Sequence, residues 1–227
     1  MRENEFGQSI GDDLGTWIPP VDPPELKVLH GQYVTLEPLQ RTQHAIPLFH
    51  AFKRSEESMW TYLPLGPFND AAELGQLLGA LEKDRRTHAY AVVVGNEPVG
   101  FLSQMRIRPD EGVLEIGWVT FSTEIQRTRA STESLFMLLD QAFSAGFRRV
   151  EWKCDDLNTA SREAAERLGF LEEGIFRKAS HYKGRNRDTA WFALTNDMWA
   201  EVERGFRRWL DPSNFDEHGQ QRTPLGH

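Results

Sequence analysis

Between residues 89 and 155 the hydrophobic period changes twice, and that change limits the fold more than any other feature of the chain. The runs A-Y-A-V-V-V-G, V-G-F-L-S-Q-M-R-I and V-L-E-I-G-W-V-T-F alternate apolar and polar residues as strands do, with short turns such as G-N-E-P between them. Strands joined this closely form a meander. The period then becomes helical over Thr132–Ala145 and returns to that of a strand at R-R-V-E-W-K-C-D. A second helix is expected from about Thr159 to Leu168, stopped by Gly169, followed by the strand pair F-L-E-E-G-I-F-R-K-A and D-T-A-W-F-A-L. Strands and helices in this order imply a mixed, mostly antiparallel sheet with helices on its faces, an α+β arrangement.

The flanks are simpler. Residues 1–30 carry W-I-P-P-V-D-P-P-E-L, whose prolines forbid a regular helix, so an extended arm pinned by Trp17 and Ile18 is expected. Gln32–Leu39 reads as a first strand ended by Pro38, residues 41–54 are weakly helical, and Asp70 caps a helix through Lys83. A last helix, Met198–Leu210, offers Trp199, Phe206 and Trp209 as packing anchors ahead of a polar tail. The expected division is an arm over 1–30, one domain over 31–197, and a C-terminal helix and tail over 198–227 packed on that domain.

Composition excludes several classes. A hydrophobic content of 39% supports a substantial core, while a net charge of −8 argues against a general nucleic-acid role. Basic residues cluster only around 126–129, 148–153 and 177–187. The one cysteine, Cys154, excludes an internal disulfide, and no Cys/His spacing suits a metal. No apolar run reaches the roughly 18–20 residues of a membrane helix. Met1–Gly15 is polar and acidic, without a signal-peptide core, so a soluble, cytoplasmic protein is expected.

The chemistry concentrates where the third meander strand gives way to the helix, at E-I-Q-R-T-R-A-S-T-E-S. A loop that opens a helix presents free N–H groups and the positive end of the helix dipole to an anion. Such loops usually contain glycine; this one has none and carries Arg127 and Arg129. From the loop alone two readings stand: an anion site assisted by guanidinium groups, or a solvated connection.

Neighbouring motifs decide between them. Gln126-Arg127-Thr128-Arg129-Ala130-Ser131 resembles the Q/R-x-x-G-x-G/A signature of the GNAT superfamily of acyl-CoA-dependent N-acyltransferases, with Arg129 in place of the first glycine and Ser131 in place of Gly or Ala. Asn158-Thr159-Ala160-Ser161, then L-G-F and E-G-I-F-R, is similar to the run that marks the ribosomal-protein N-terminal acetyltransferase branch and its uncharacterised relatives. The resemblance covers roughly residues 31–210 and implies a GNAT-like sheet of about seven strands flanked by helices.

It also implies a set of roles. Acetyl-CoA or another acyl-CoA is the co-substrate, no metal is needed, and the acceptor is a small-molecule amine or a protein N-terminus. Main chain at Val119, Thr120 and Phe121 would hold the pantetheine arm beside a strand bulge. Gln126, Arg127, Thr128, Arg129, Ala130, Ser131 and Thr132 would face the diphosphate, through the N–H groups of Arg129 to Glu133 and the guanidinium groups, with Asn158 also meeting the cofactor. Glu115 stands where histone-type members carry a catalytic glutamate; it is either the base, partly desolvated between Leu114 and Ile116, or a strand carboxylate satisfied by Lys or Arg across the sheet. Many members use a tyrosine as acid at the position of Ala165, so Ser161, alone or with a water held by Asn158, takes that role, with Tyr182 as a rival in a hairpin. The basic hairpin H-Y-K-G-R-N-R-D, in which Asp188 is expected to hold Arg185 or Arg187, suits an acidic substrate, the cofactor's 3′-phosphate, or plain solvent. Trp60 and Tyr62 line the substrate mouth or close the core. The arm and tail shape either the acceptor pocket or a homodimer contact. A degenerate CoA-binding or protein-interaction domain without turnover is the alternative.

Overall fold

The computed structural model describes residues 2–226; Met1 and His227, the ends of the expected arm and tail, lie outside them. Among the described residues the strands are β1 (Arg2–Glu3), β2 (Ser9–Ile10), β3 (Leu29–His30), β4 (Thr35–Pro38), β5 (His88–Val94), β6 (Glu97–Arg108), β7 (Val113–Phe121), β8 (Arg149–Asp155), β9 (Leu171–Tyr182) and β10 (Arg185–Thr195). The helices are α1 (Arg41–Lys53), α2 (Ala71–Lys83), α3 (Arg129–Ser144), α4 (Thr159–Arg167) and α5 (Asn196–Leu210), with short 3₁₀ turns at Glu57–Trp60 and Pro212–Asn214.

Eight strands form the central sheet in the order β3-β4-β5-β6-β7-β8-β10-β9, one more than expected. Every neighbouring pair is antiparallel except β7 and β8, which the crossover helix α3 joins in parallel. One core lies between the sheet and α3, α4 and α5, and includes Leu114, Ile116, Leu138, Val150, Trp152 and Phe192. A second packs α1 and α2 on the opposite face through Leu48, Phe52, Leu74, Leu78 and Phe101. Asp70 caps α2 as expected, its carboxylate accepting from the Glu73 N–H at 2.8 Å. On α5, Trp199 stacks on Phe143 at 4.7 Å and Phe206 lies 5.2 Å from Phe136, each such ring pair contributing about 0.5–1.5 kcal/mol beyond its buried area.

Three local expectations change. The first strand is only four residues long, because residues 32–34 are claimed by a side chain: the Glu133 carboxylate on α3 accepts N–H bonds from Gln32, Tyr33 and Val34 at 2.8, 2.7 and 3.0 Å. Gly31 packs so closely against that carboxylate that a Cβ there would collide with it. The arm is not simply extended, since β1 and β2 form a small separate hairpin. Trp17 does pin it, donating from Nε1 to the Gly146 carbonyl at 2.9 Å with Arg148 over its ring, but Ile18 is 79% exposed and the second anchor is Val21. No helix of the described residues is long and apolar enough to cross a membrane.

Candidate active site

The parallel pairing of β7 and β8 stops early. Val113–Ile116 register with Arg149–Trp152, yet β7 continues to Phe121 and β8 to Asp155 without pairing. The cause lies on the other edge of β7. Phe101 faces Thr120 and Ser103 faces Gly117, so β7 carries one extra residue there, and Trp118 takes a left-handed φ of 51°. This bulge turns Gly117–Phe121 away from β8 and opens a cleft of about 1460 Å³ between the two strands. A Cβ at Gly117 would strike the Met105 side chain and stand 3.5 Å from Glu115 Oε1, so a larger residue fits there only if Met105 moves.

The cleft gathers Glu115, Val119, Thr120, Phe121, Gln126, Arg127, Thr128, Arg129, Ser131, Thr132, Asn158 and Ser161. Of the expected catalytic and cofactor-binding residues Ala130 alone is outside its lining, because its methyl packs into the core.

The glycine-free loop is built by other means. Arg127 itself adopts the left-handed conformation, at φ 60°, and Ile125 is buried as an anchor. Thr128, not a residue near Thr132, is the N-cap: its hydroxyl accepts the Ser131 N–H, while Ser131 Oγ accepts the Thr128 N–H at 3.2 Å. The helix therefore starts three residues earlier than expected. The N–H groups of Ser131 and Thr132 are used within the cap, and the free donors of this end are those of Arg129 and Ala130. Glu133 turns away from the cleft to its bonds with residues 32–34. Arg129 lies over the Tyr33 ring at 4.4 Å and the Phe215 ring at 5.4 Å, so it also ties the C-terminal tail to the body. Arg167 lies over Trp209 at 4.8 Å and donates to Thr132 Oγ1 at 3.2 Å.

On α4, Asn158 is the N-cap, accepting the Ser161 N–H at 3.2 Å. Ser161 Oγ accepts from Trp152 Nε1 at 3.0 Å, so the hydroxyl proton is available to another acceptor. Ala165 is fully buried. Burial pushes the Cys154 thiol up, which disfavours the thiolate a nucleophile needs.

The opposite face of the same strands is ionic. Leu114 and Ile116 point into the core, so Glu115 is not flanked by them as sequence adjacency suggested. Its Oε2 meets Arg106 Nη1 at 2.9 Å and Lys153 Nζ at 2.9 Å. Arg106 reaches it from a bulge in β6, where it takes a φ of 48°. Lys153 also binds Glu151 at 2.8 Å and lies 3.6 Å from the centre of the Trp191 ring. Burial pushes the Glu151 carboxyl up, but hydrogen bonds from Lys153 and Arg149 outweigh it and hold the group below its usual range.

The basic hairpin divides its work. Lys183 Nζ donates to the Trp60 carbonyl at 2.6 Å and Arg185 to the Thr61 carbonyl at 2.5 Å, docking the hairpin tip on the end of the 3₁₀ turn. Trp60 closes the core between Phe52 and Phe68, whereas Tyr62 lines the cleft. Tyr182 is buried rather than exposed and donates to Asp155 Oδ2 at 2.6 Å; burial and Asp155 push its phenol up to about 12. Asp188 holds neither Arg185 nor Arg187, but accepts from the Lys178 N–H and from Asn186 across a bulge in β9. Among the described residues no His/Cys/Asp/Glu cluster could hold a metal ion.

Arg106, Lys153 and Trp191 line the cleft without having been singled out by sequence as site residues, and Arg187, from the basic hairpin expected to suit an acidic substrate, lines it too. The signal for one of them was present: E-W-K-C-D alternates charged and apolar residues, the mark of a strand with one ionic face.

Residues 34–171 match the family model for the acetyltransferase (GNAT) domain. The crystal structure of a GCN5-related N-acetyltransferase from Brucella melitensis is 39% identical, covers 93% of this chain and 97% of its own, and superposes with a TM-score of 0.89. A GNAT-family protein from Chromobacterium violaceum ATCC 12472 is 36% identical over 85% of this chain and 98% of its own, with a TM-score of 0.80. The Microcin C7 self-immunity acetyltransferase MccE, solved with acetyl-CoA and AMP, is 18% identical over 73% of this chain and 93% of its own at a TM-score of 0.66, and shares the fold. No curated protein matches the sequence. With its divergent parallel strands, its capped helix and these relatives, the chain belongs to the GNAT acetyltransferase family.

Proposed function

We propose that the protein transfers an acetyl group from acetyl-CoA directly to a primary amine, both substrates being held in the cleft between β7 and β8. The observation that carries this reading is the early end of the β7–β8 pairing beside the N-terminus of α3, which leaves strand-edge groups and helix-end donors facing one space. The thioester of acetyl-CoA supplies the activated acyl group; the chain supplies the rest. Main chain at Val119, Thr120 and Phe121 pairs with the pantetheine arm as a missing strand would. The N–H groups of Arg129 and Ala130, with Gln126, Arg127, Thr128, Ser131, Thr132 and the Arg129 guanidinium, take the phosphate end, and Asn158 closes the far side.

Both cations that meet Glu115 sit on Oε2. Oε1 faces the Gly117 backbone and takes the ammonium proton, directly or through a water. The Ser161 hydroxyl donates to the leaving thiolate. Acceptors are small-molecule amines or protein N-termini, and the lone buried Cys154 suits a reducing cytoplasm.

Glu115→Gln tests this. Loss of a general base lowers the rate about 10²–10⁴-fold, so thiol release from acetyl-CoA across an amine panel should fall by that order. Calorimetric acetyl-CoA affinity should hold. A wild type that binds acetyl-CoA, acetylates no amine, and matches Glu115→Gln in every assay sinks the reading.

A further inference from the structure

One wall of the cleft holds two buried donors that no group among the described residues satisfies. Arg187 Nε and Trp191 Nε1 are both buried and, among the described residues, without a hydrogen-bond partner, while the two residues line the cleft. Buried polar groups are nearly always paired, so two orphans in one wall need an account. They share a face by register: on β10, Trp191 stands opposite Lys153 and Thr189 opposite Asp155, with Arg187 two residues further on. Arg187 makes no ion pair among the described residues; the Tyr182 ring centre lies 5.9 Å from its guanidinium. Asp155, the nearest acid by register, is already engaged on both oxygens, by Tyr182 and by the Leu157 N–H. Glu115 and Glu151 are likewise held by Lys153 and other cations.

A guanidinium and an indole N–H only donate, so their missing partner only accepts. We infer that the amine acceptor carries an anionic group, a carboxylate or a phosphate, which Arg187 and Trp191 bind while its amine lies at Glu115. This deepens the transfer reading above and rests on it. It also sets a length. By register Glu115 stands opposite Glu151 and Glu151 opposite Ala193, so Arg187 is six residues further along β10, about 20 Å of strand less the reach of the Glu115 and Arg187 side chains. The acceptor is therefore longer than a free α-amino acid, whose two groups sit on one carbon.

The test pairs acceptors of equal length that differ only at the end: aminohexanoate, its amide, and aminohexyl phosphate, with glycine as the short control. Thiol release from acetyl-CoA should favour one or both anionic acceptors over the amide by about 10- to 100-fold, the range for a charge-assisted bond in a buried site. The better of the two distinguishes carboxylate from phosphate. Arg187→Ala should bring that ratio close to one, Arg187→Lys should restore part of it, and Trp191→Phe, which keeps the ring over Lys153, should lower it a few-fold. Equal use of amide and anion by the wild type, preference for glycine, or a ratio that survives Arg187→Ala overturns the proposal. If acetyl-CoA binds but no amine is acetylated, the transfer reading fails separately. The pocket is then read by calorimetric titration of the CoA-loaded protein with aminohexanoate and aminohexyl phosphate, where binding that vanishes in Arg187→Ala supports the anion site and no binding to the wild type refutes it.

Discussion

Lys153 is the most stringent test of how the ionic face is held together. Its side chain is 7% exposed and its ammonium lies 2.9 Å from Glu115 and 2.8 Å from Glu151. Lys153→Met keeps the length and packing and removes only the charge. Deleting one partner of a buried pair typically costs 3–5 kcal/mol, but here Arg106 still meets Glu115 and Arg149 still meets Glu151, which brings the expected loss to about 2–3 kcal/mol. At this chain length that corresponds to about 5–10 °C in Tm.

The pH dependence has a definite sign. In the wild type the Glu151 carboxyl is held below its ordinary value of 4.5, so its contribution is complete above that value and is lost as pH falls through the folded-state pKa. Without Lys153 the upward push of burial is less opposed, and protonation relieves the unpaired charge at a higher pH. The stability gap between wild type and variant should be widest near neutrality and narrow below the ordinary carboxylate range. Urea unfolding at about pH 7 and about pH 4.5 measures it, and Lys153→Met combined with Glu151→Gln should recover part of the loss. A cost under about 1 kcal/mol at neutral pH, or a gap that widens on acidification, would refute this account of the buried pair.

Three further outcomes are expected. Glu133→Ala leaves the N–H groups of Gln32, Tyr33 and Val34 without their acceptor and should cost about 3 kcal/mol in urea unfolding, with faster amide exchange at those residues; a loss below about 1 kcal/mol would count against it. Arg129→Ala removes the guanidinium from over Tyr33 and Phe215, so it should weaken acetyl-CoA binding about 10-fold and also make the tail easier to proteolyse, while unchanged affinity would return the loop to a solvated connection. Tyr182→Phe should cost about 1–2 kcal/mol at neutral pH. The wild-type phenol, raised from 10.0 to about 12, contributes fully below 10.0 and loses that contribution as pH rises through about 12, so the two proteins should converge in strong alkali; a constant gap would contradict the Tyr182–Asp155 bond.

Local patterns carried most of the fold. Period-two runs located β5, β6, β7 and β8, and Asp70 and Asn158 marked helix starts because an N-cap is a local hydrogen bond. The start of α3 was misplaced for the same reason in reverse: Thr128 and Ser131 form a capping box three residues apart, but the arginine between them looked like loop. Non-local features were not legible. That Glu133 ends on residues about a hundred positions earlier, or that Arg106 and Lys153 converge on Glu115, depends on which strands become neighbours and on bulges that re-aim single side chains. The docking of the β9–β10 hairpin tip on the 3₁₀ turn by Lys183 and Arg185 was not legible either, since K-G-R-N reads locally as an ordinary tight turn.

The central sheet has a seam. Strands β3 to β7 follow one another in chain order, and β8, β10 and β9 make a second block; within the sheet the two blocks are stitched by only the four-residue register of Val113–Ile116 with Arg149–Trp152. The groove proposed to receive a linear ligand is the unstitched remainder of that seam. On that reading a ligand lying in it would act as mortar between the two half-sheets, coupling occupancy to cohesion. The place where the two half-sheets part is also the place where the proposed substrate would join them.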